Sequence, residues 1–170
     1  MTHIERAMPP LQADERTNLA AWLDFYRATV ATKCDGLTDG QVRKASVAPS
    51  ELTLLGIVQH LTEVERNWFR RVLTGEDVPP AHGAPAAPGD HDGGFGLSDG
   101  TSFADARAAW LDEIEVSRAN CAARSLEDTA PFMGGEVALR WIYTHMIAEY
   151  ARHSGHADLL RERIDGSTGV

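Results

Sequence analysis

The sequence predicts an all-α protein: a single four-helix-bundle domain with a long connection between its second and third helices. Three observations carry that expectation. Four stretches repeat apolar residues at i, i+3, i+4 and i+7, the spacing that lines one face of a helix. No stretch alternates apolar and polar residues long enough to read as a convincing strand. Each of the four helical stretches also places one tryptophan, Trp22, Trp68, Trp110 or Trp141, where it is expected to face the core. At 170 residues the chain has the size of one domain and can bury a sizeable core.

The elements follow in order. Residues 1–12 read as an arm, because Pro9-Pro10 blocks helix. Asp14 is a good N-cap for a first helix through Leu19, Trp22, Leu23, Tyr26 and Val30, which Asp35-Gly36 ends after Cys34. A connector with one short helical turn at 38–44 leads to the second helix. Pro49-Ser50-Glu51 opens it, Leu54, Ile57, Val58, Leu61, Val64, Trp68 and Val72 form its stripe, and Gly75 closes it. Residues 76–101 are rich in Gly, Pro and Asp and cannot form a regular element. Phe95 is the only aromatic residue of that loop, suited to plug a cleft or anchor the segment. Ser102 caps a third helix that runs to about Arg124, with Phe103, Ala106, Trp110, Ile114 and Cys121 on one face. DTAPFMGGEVA reads as an irregular link, and the fourth helix runs from Leu139 to Asp165 and stops at Gly166.

Composition bounds the function. Hydrophobic content of 43% and charged content of 24% are those of an ordinary globular protein, and a net charge of −9 argues against a nucleic-acid partner. No apolar run of ~18 residues is present, so no membrane span is expected. The N-terminus lacks the basic flank and apolar run of a secretory signal. Cys34 and Cys121 lie far apart without CxxC spacing and read as reduced thiols, and the cytoplasm is the expected location. Neither GxSxG nor a Gly-rich loop between a strand and a helix occurs, so those hydrolase and phosphate-cradling signatures are absent.

The fourth helix carries the chemistry. Wound at about 100° per residue, its apolar face is defined by Ile142, Met146, Leu160 and Ile164. Glu149, His153 and His156 fall in the middle of that face, with His145 on its flank. Buried polar groups cost free energy unless they are paired, and charges cost more. A carboxylate and imidazoles there point to a polar cleft, a polar core network or a metal ion. Glu149 and His153 have the i, i+4 spacing that brings two ligands to one ion. His60, at the border of the second helix's stripe, is positioned to be a third, and is equally read as a helix-border histidine. His156, three residues after His153, is an alternative ligand, an outer partner or a general base. His145 is a further ligand candidate or proton carrier. Glu63 and Glu65 read as solvated or helix-pairing charges. No role is assigned to His3, His82 or His91. Two imidazoles and a carboxylate leave a coordination position open, as catalysis needs and a structural zinc site does not.

LTLLGIVQHLTEVERNWFRRVLTGED, with LRWIYTHMIAEYARHSGHADLLRERIDG far downstream, resembles the DinB-like (YfiT-like) metalloprotein superfamily, and more narrowly its actinobacterial mini-circle-protein branch. The similarity runs from about Pro10 to Gly169 and is weakest across the 76–101 loop. The resemblance implies a DinB-like four-helix bundle with a long crossover, commonly a homodimer. It implies a divalent metal, zinc or nickel, held by a histidine of helix two and two ligands four apart on a later helix. The later pair is commonly HxxxH; here Glu149 and His153 stand at those positions, as in the isomerase-type triad of His, Glu and His. His60 matches the first ligand position. The resemblance therefore selects His60, Glu149 and His153 as ligands and leaves His156 and His145 as proton-moving catalytic candidates. It implies a transferase that activates a low-molecular-weight thiol of mycothiol type for attack on a small electrophile. The alternatives are a mycothiol-dependent isomerase and a non-catalytic metal- or ligand-binding stress-response protein.

Overall fold

A computed structural model describes residues 5–82, 95 and 100–169. The described chain is mostly helical, with one two-stranded sheet. It forms two compact units, Met1–Leu54 with Tyr143–Val170, and Leu55–Ile142.

The first unit holds α1 (Glu15–Cys34), the short α2 (Asp39–Val42) and most of α5 (Leu139–Asp165). The Asp14 carboxylate accepts from the Thr17 backbone N–H at 2.9 Å and from its hydroxyl at 2.7 Å, supplying the cap the sequence predicts. Those bonds lower the Asp14 pKa. Thr38 and Gln41 close a capping box on α2. The end of α1 is held from α5, where Arg161 Nη1 donates to the carbonyls of Lys33 at 3.1 Å and Asp35 at 2.8 Å. A guanidinium there satisfies carbonyls that have no partner within the helix. Lys33 itself is buried, paired with Asp158 at 2.7 Å and donating to the Gly169 carbonyl.

The second unit holds α3 (Leu54–Arg66) beyond its first residue, a π-helical continuation (Asn67–Val72), α4 (Phe103–Ala122), and a β-hairpin of β1 (Thr129–Phe132) and β2 (Gly135–Ala138). Leu54, Ile57, Val58 and Leu61 are buried as the stripe predicts, Leu55 is buried beside them, and Val64 is half-buried. The helix starts at Leu54 rather than at Pro49-Ser50-Glu51. Ser102 accepts from Asp105 N and caps α4. The α4 helix is tied to the π-helical stretch by Asn120 Nδ2, which donates to the Phe69 carbonyl at 3.1 Å. Glu113 of α4, buried, accepts from Arg66 Nε at 3.0 Å and Nη2 at 2.7 Å, and from Arg70 at 3.4 Å.

Further expectations are corrected. The link at 129–138 is a hairpin, paired Thr129↔Ala138 through Phe132↔Gly135, with Met133 and Gly134 both at positive φ in its two-residue turn. Trp110 and Trp68 are buried, but Trp22 is 36% and Trp141 48% exposed. Trp22 packs at that surface with Phe25 and Tyr26, and Trp141 packs on Trp68 at 5.3 Å between ring centroids. Glu65 is fully buried rather than solvated. Glu63 does pair, with Arg71 at 2.5 Å and the Ala81 N–H at 2.8 Å. Most of the 76–101 loop lies outside the described residues. Cys34 and Cys121 are buried and form no disulfide. Among the described residues no helix is long and apolar enough to cross a membrane.

Candidate metal centre

The α5 helix runs unbroken for 27 residues, so residues four apart fall one turn apart on one side of it. Glu149 and His153 use that register, with His153 Nε2 3.2 Å from Glu149 Oε1. His153 is buried, and the Glu149 side chain is 13% exposed. One turn on, His156 Nδ1 lies 3.2 Å from His153 Nδ1, and the two rings meet edge to face with centroids 5.1 Å apart. The two nitrogens of His153 therefore face different partners. Only one carries hydrogen in the neutral ring. When Nε2 gives its lone pair to a ligand, Nδ1 holds the proton and His156 Nδ1 accepts it.

His60, on α3, is buried, and its ring stacks on that of Phe95. His60, Glu149 and His153 each offer one ligand atom, and these three atoms lie within 4.8 Å of one another. Zinc bonds to nitrogen and carboxylate oxygen of about 2.0–2.2 Å place neighbouring ligands of a tetrahedral ion about 3.3–3.6 Å apart. The 3.2 Å between Glu149 and His153 is close to that separation. The donor set of two imidazoles and one carboxylate fits a borderline divalent ion and supplies no thiolate.

His145 and His156 are half-buried on α5. Burial is the main cause that lowers the pKa of each; at His145 Glu149 opposes it and Arg152 adds to it, and at His156 His153 and then Arg152 add to it against the raising effect of Glu149. Both imidazoles are thereby biased toward the neutral, proton-accepting form. Arg152, two-thirds exposed, stands 3.7 Å from Glu149 Oε2. Arg152 is not among the residues the sequence pattern singles out, although its i, i+3 spacing from Glu149 is the signal for such a pair. His82 is half-buried with its pKa lowered, chiefly by burial. His3 and His91 lie outside the described residues.

The family model for mycothiol-S-transferase matches residues 18–166. The chain belongs to the mycothiol-S-transferase family. The family is part of the DinB-like superfamily, and membership supports a mycothiol-related transferase activity with a thiol substrate. No curated protein matches the chain. The family match runs from within α1 to just past the end of α5 and so includes His60, Glu149 and His153.

Proposed function

We propose that this chain transfers a low-molecular-weight thiol of mycothiol type to a small electrophile, at a divalent metal held by His60, Glu149 and His153. The observation that carries the reading is the convergence of those three donors, one ligand atom each, within 4.8 Å. Zinc or nickel suits the donor set. A dipositive ion bound there supplies charge that favours thiolate, the nucleophilic form, over thiol near neutral pH.

The protein's own residues then have separate tasks. Glu149 contributes negative charge that offsets part of the ion's charge. His153 is fixed in one tautomer by its contact with His156. His156, half-buried with its basicity lowered, is placed to accept the proton released when the thiol ionises; His145, one turn before Glu149, is a second proton carrier on the same helix. A cytosolic thiol cosubstrate supports a cytoplasmic location, and a homodimer is the assembly in which we expect it to work.

The Glu149 ligand favours one second reading, the isomerase variant, in which the thiol adds reversibly to a conjugated double bond. Metal analysis of protein purified without an affinity tag tests the centre. About one divalent ion per chain is expected in the wild type, with clear loss in His60→Ala and His153→Ala. Retained metal and retained activity in both variants would remove the triad. Incubation with mycothiol and a reactive electrophile, followed by mass spectrometry, separates the activities. A stable conjugate supports transfer, an isomerised product without net thiol consumption supports the variant, and neither supports a non-catalytic binding protein.

A further inference from the structure

The His60 imidazole is buried, and the Phe95 ring lies over it almost parallel, with centroids 4.0 Å apart and planes 13° from one another. An imidazole presents its lone pairs in the plane of the ring. A stacked partner therefore covers a face and leaves the nitrogens at the edge open to a ligand. Rotation about the Cβ–Cγ bond of histidine is intrinsically soft, with a broad, roughly two-fold torsional preference. A ligating imidazole whose plane can swing misdirects its lone pair, so its orientation has to come from its neighbours. His153 receives that restraint in the ring plane, from His156 Nδ1 at 3.2 Å. For His60 the restraint acts on the face of the ring.

We propose that Phe95 is a positioning residue for His60, holding the imidazole plane so that a ring nitrogen is aimed at the ion. The inference rests on the reading of His60 as a metal ligand. It also assigns a task to the one aromatic residue of the 76–101 stretch. Phe95 touches neither thiol nor electrophile in this role and acts through His60.

Three proteins test it: the wild type, Phe95→Leu, which keeps apolar bulk but removes the flat aromatic face, and Phe95→Tyr, which keeps both. In metal-free protein, the carbon-bound ring protons of His60, assigned with a His60→Ala control, should be shifted upfield by the ring current of residue 95. The shift should persist in Phe95→Tyr and vanish in Phe95→Leu. Zinc affinity, measured by competition with a chromophoric chelator, should fall about tenfold in Phe95→Leu, as for loss of other groups that orient ligands, and recover in Phe95→Tyr. His60 protons at ordinary positions in the wild type would overturn the stack. A wild type that binds zinc, with a Phe95→Leu variant that loses the ring-current shift yet binds zinc equally well, would overturn the positioning role alone. A wild type that shows the shift but takes up no zinc would instead overturn the ligand reading on which this inference rests.

Discussion

Glu113 and Glu149 are both helix carboxylates taken largely out of water, with side chains 3% and 13% exposed. Their surroundings differ in kind. Glu113 is met by guanidinium groups, Arg66 at 2.7 Å and Arg70 at 3.4 Å, and Arg70 is shared with Glu76 at 2.5 Å. Arginine is always charged and acts only as a donor, so this grouping fixes the Glu113 carboxylate as an acceptor. Glu149 is met by the His153 imidazole at 3.2 Å, with Arg152 further off at 3.7 Å. Imidazole changes charge near neutral pH and can donate a lone pair as readily as a proton. A buried carboxylate among arginines is suited to holding elements together, and one among histidines is suited to sharing an ion or moving a proton.

The largest expected effect separates the two. Glu149→Ala should lower thiol conjugation by at least about 100-fold, since loss of groups that merely orient ligands already reaches that size, while its thermal unfolding stays near that of the wild type. Glu113→Ala should do the reverse. Removing the carboxylate leaves Arg66 and Arg70 facing each other, and because both are about one-fifth exposed the cost should lie at or just below the low end for a broken buried pair, about 2–3 kcal/mol. Metal content and turnover per folded molecule should not change. Activity lost in proportion in both variants, measured alongside denaturant unfolding, would erase the distinction.

A smaller effect sharpens the histidine side. His156→Ala should weaken zinc binding by roughly 10-fold, because His153 Nδ1 loses the acceptor that fixes its tautomer. His156→Asn, which restores an acceptor, should recover part of it. Equal zinc affinity in wild type and His156→Ala would reduce His156 to a neighbour of the centre.

The smallest effect belongs to a third carboxylate, exposed and paired with arginine. Asp165 is held at a pKa of about 2 against an ordinary 3.8, chiefly by its hydrogen bond from Arg161. A depressed carboxylate pKa contributes stability that is complete above the unfolded value and fades as pH falls through the folded one. The gap in unfolding temperature between wild type and Asp165→Asn should therefore narrow from about pH 4 downward and close only once the pH is below the folded pKa of about 2. A gap that stays constant over that range would mean the ion pair contributes nothing.

Much of this was legible in the sequence because it is local. The Asp14 cap and the bounds of α1 and α5 follow from residues within one turn of each helix end. So does the pairing of Glu149 with His153. The hairpin was not legible. Its strands are four residues each, too short for alternation to register, and Met133 occupies a left-handed turn position where Asn, Asp or Gly is the usual signal. Periodicity placed Trp22 and Trp141 inward because it ranks residues by hydrophobicity, whereas an indole can rest half-exposed against another aromatic ring. Periodicity does set Glu65 near the centre of its stripe, one turn from Leu61; the expectation of a solvated or helix-pairing charge comes from its residue type alone, and the buried position follows the periodicity. Contacts between residues far apart in sequence were out of reach of spacing rules. Periodicity offers His60 as a third ligand candidate at the border of its stripe, but only the resemblance selects it with Glu149 and His153 over the alternatives, and no spacing rule connects Phe95 with His60.

The π-helical stretch from Asn67 to Val72 bears on Glu113 in another way. Each π-type hydrogen bond spans one residue more than an α-type bond, so the stretch acts as a phase shift along an otherwise continuous helix. Residues beyond it emerge rotated from where α-helical winding would carry them, and Arg70 meets Glu113 from within that widened segment. Point substitutions leave the phase intact. Deleting a single residue between 67 and 72 would return the segment to α-helical winding and turn Arg70 away from Glu113. Arg66, which precedes the shift, would keep its place. By length alone, a shortening of one residue would separate the two arginines that share one carboxylate.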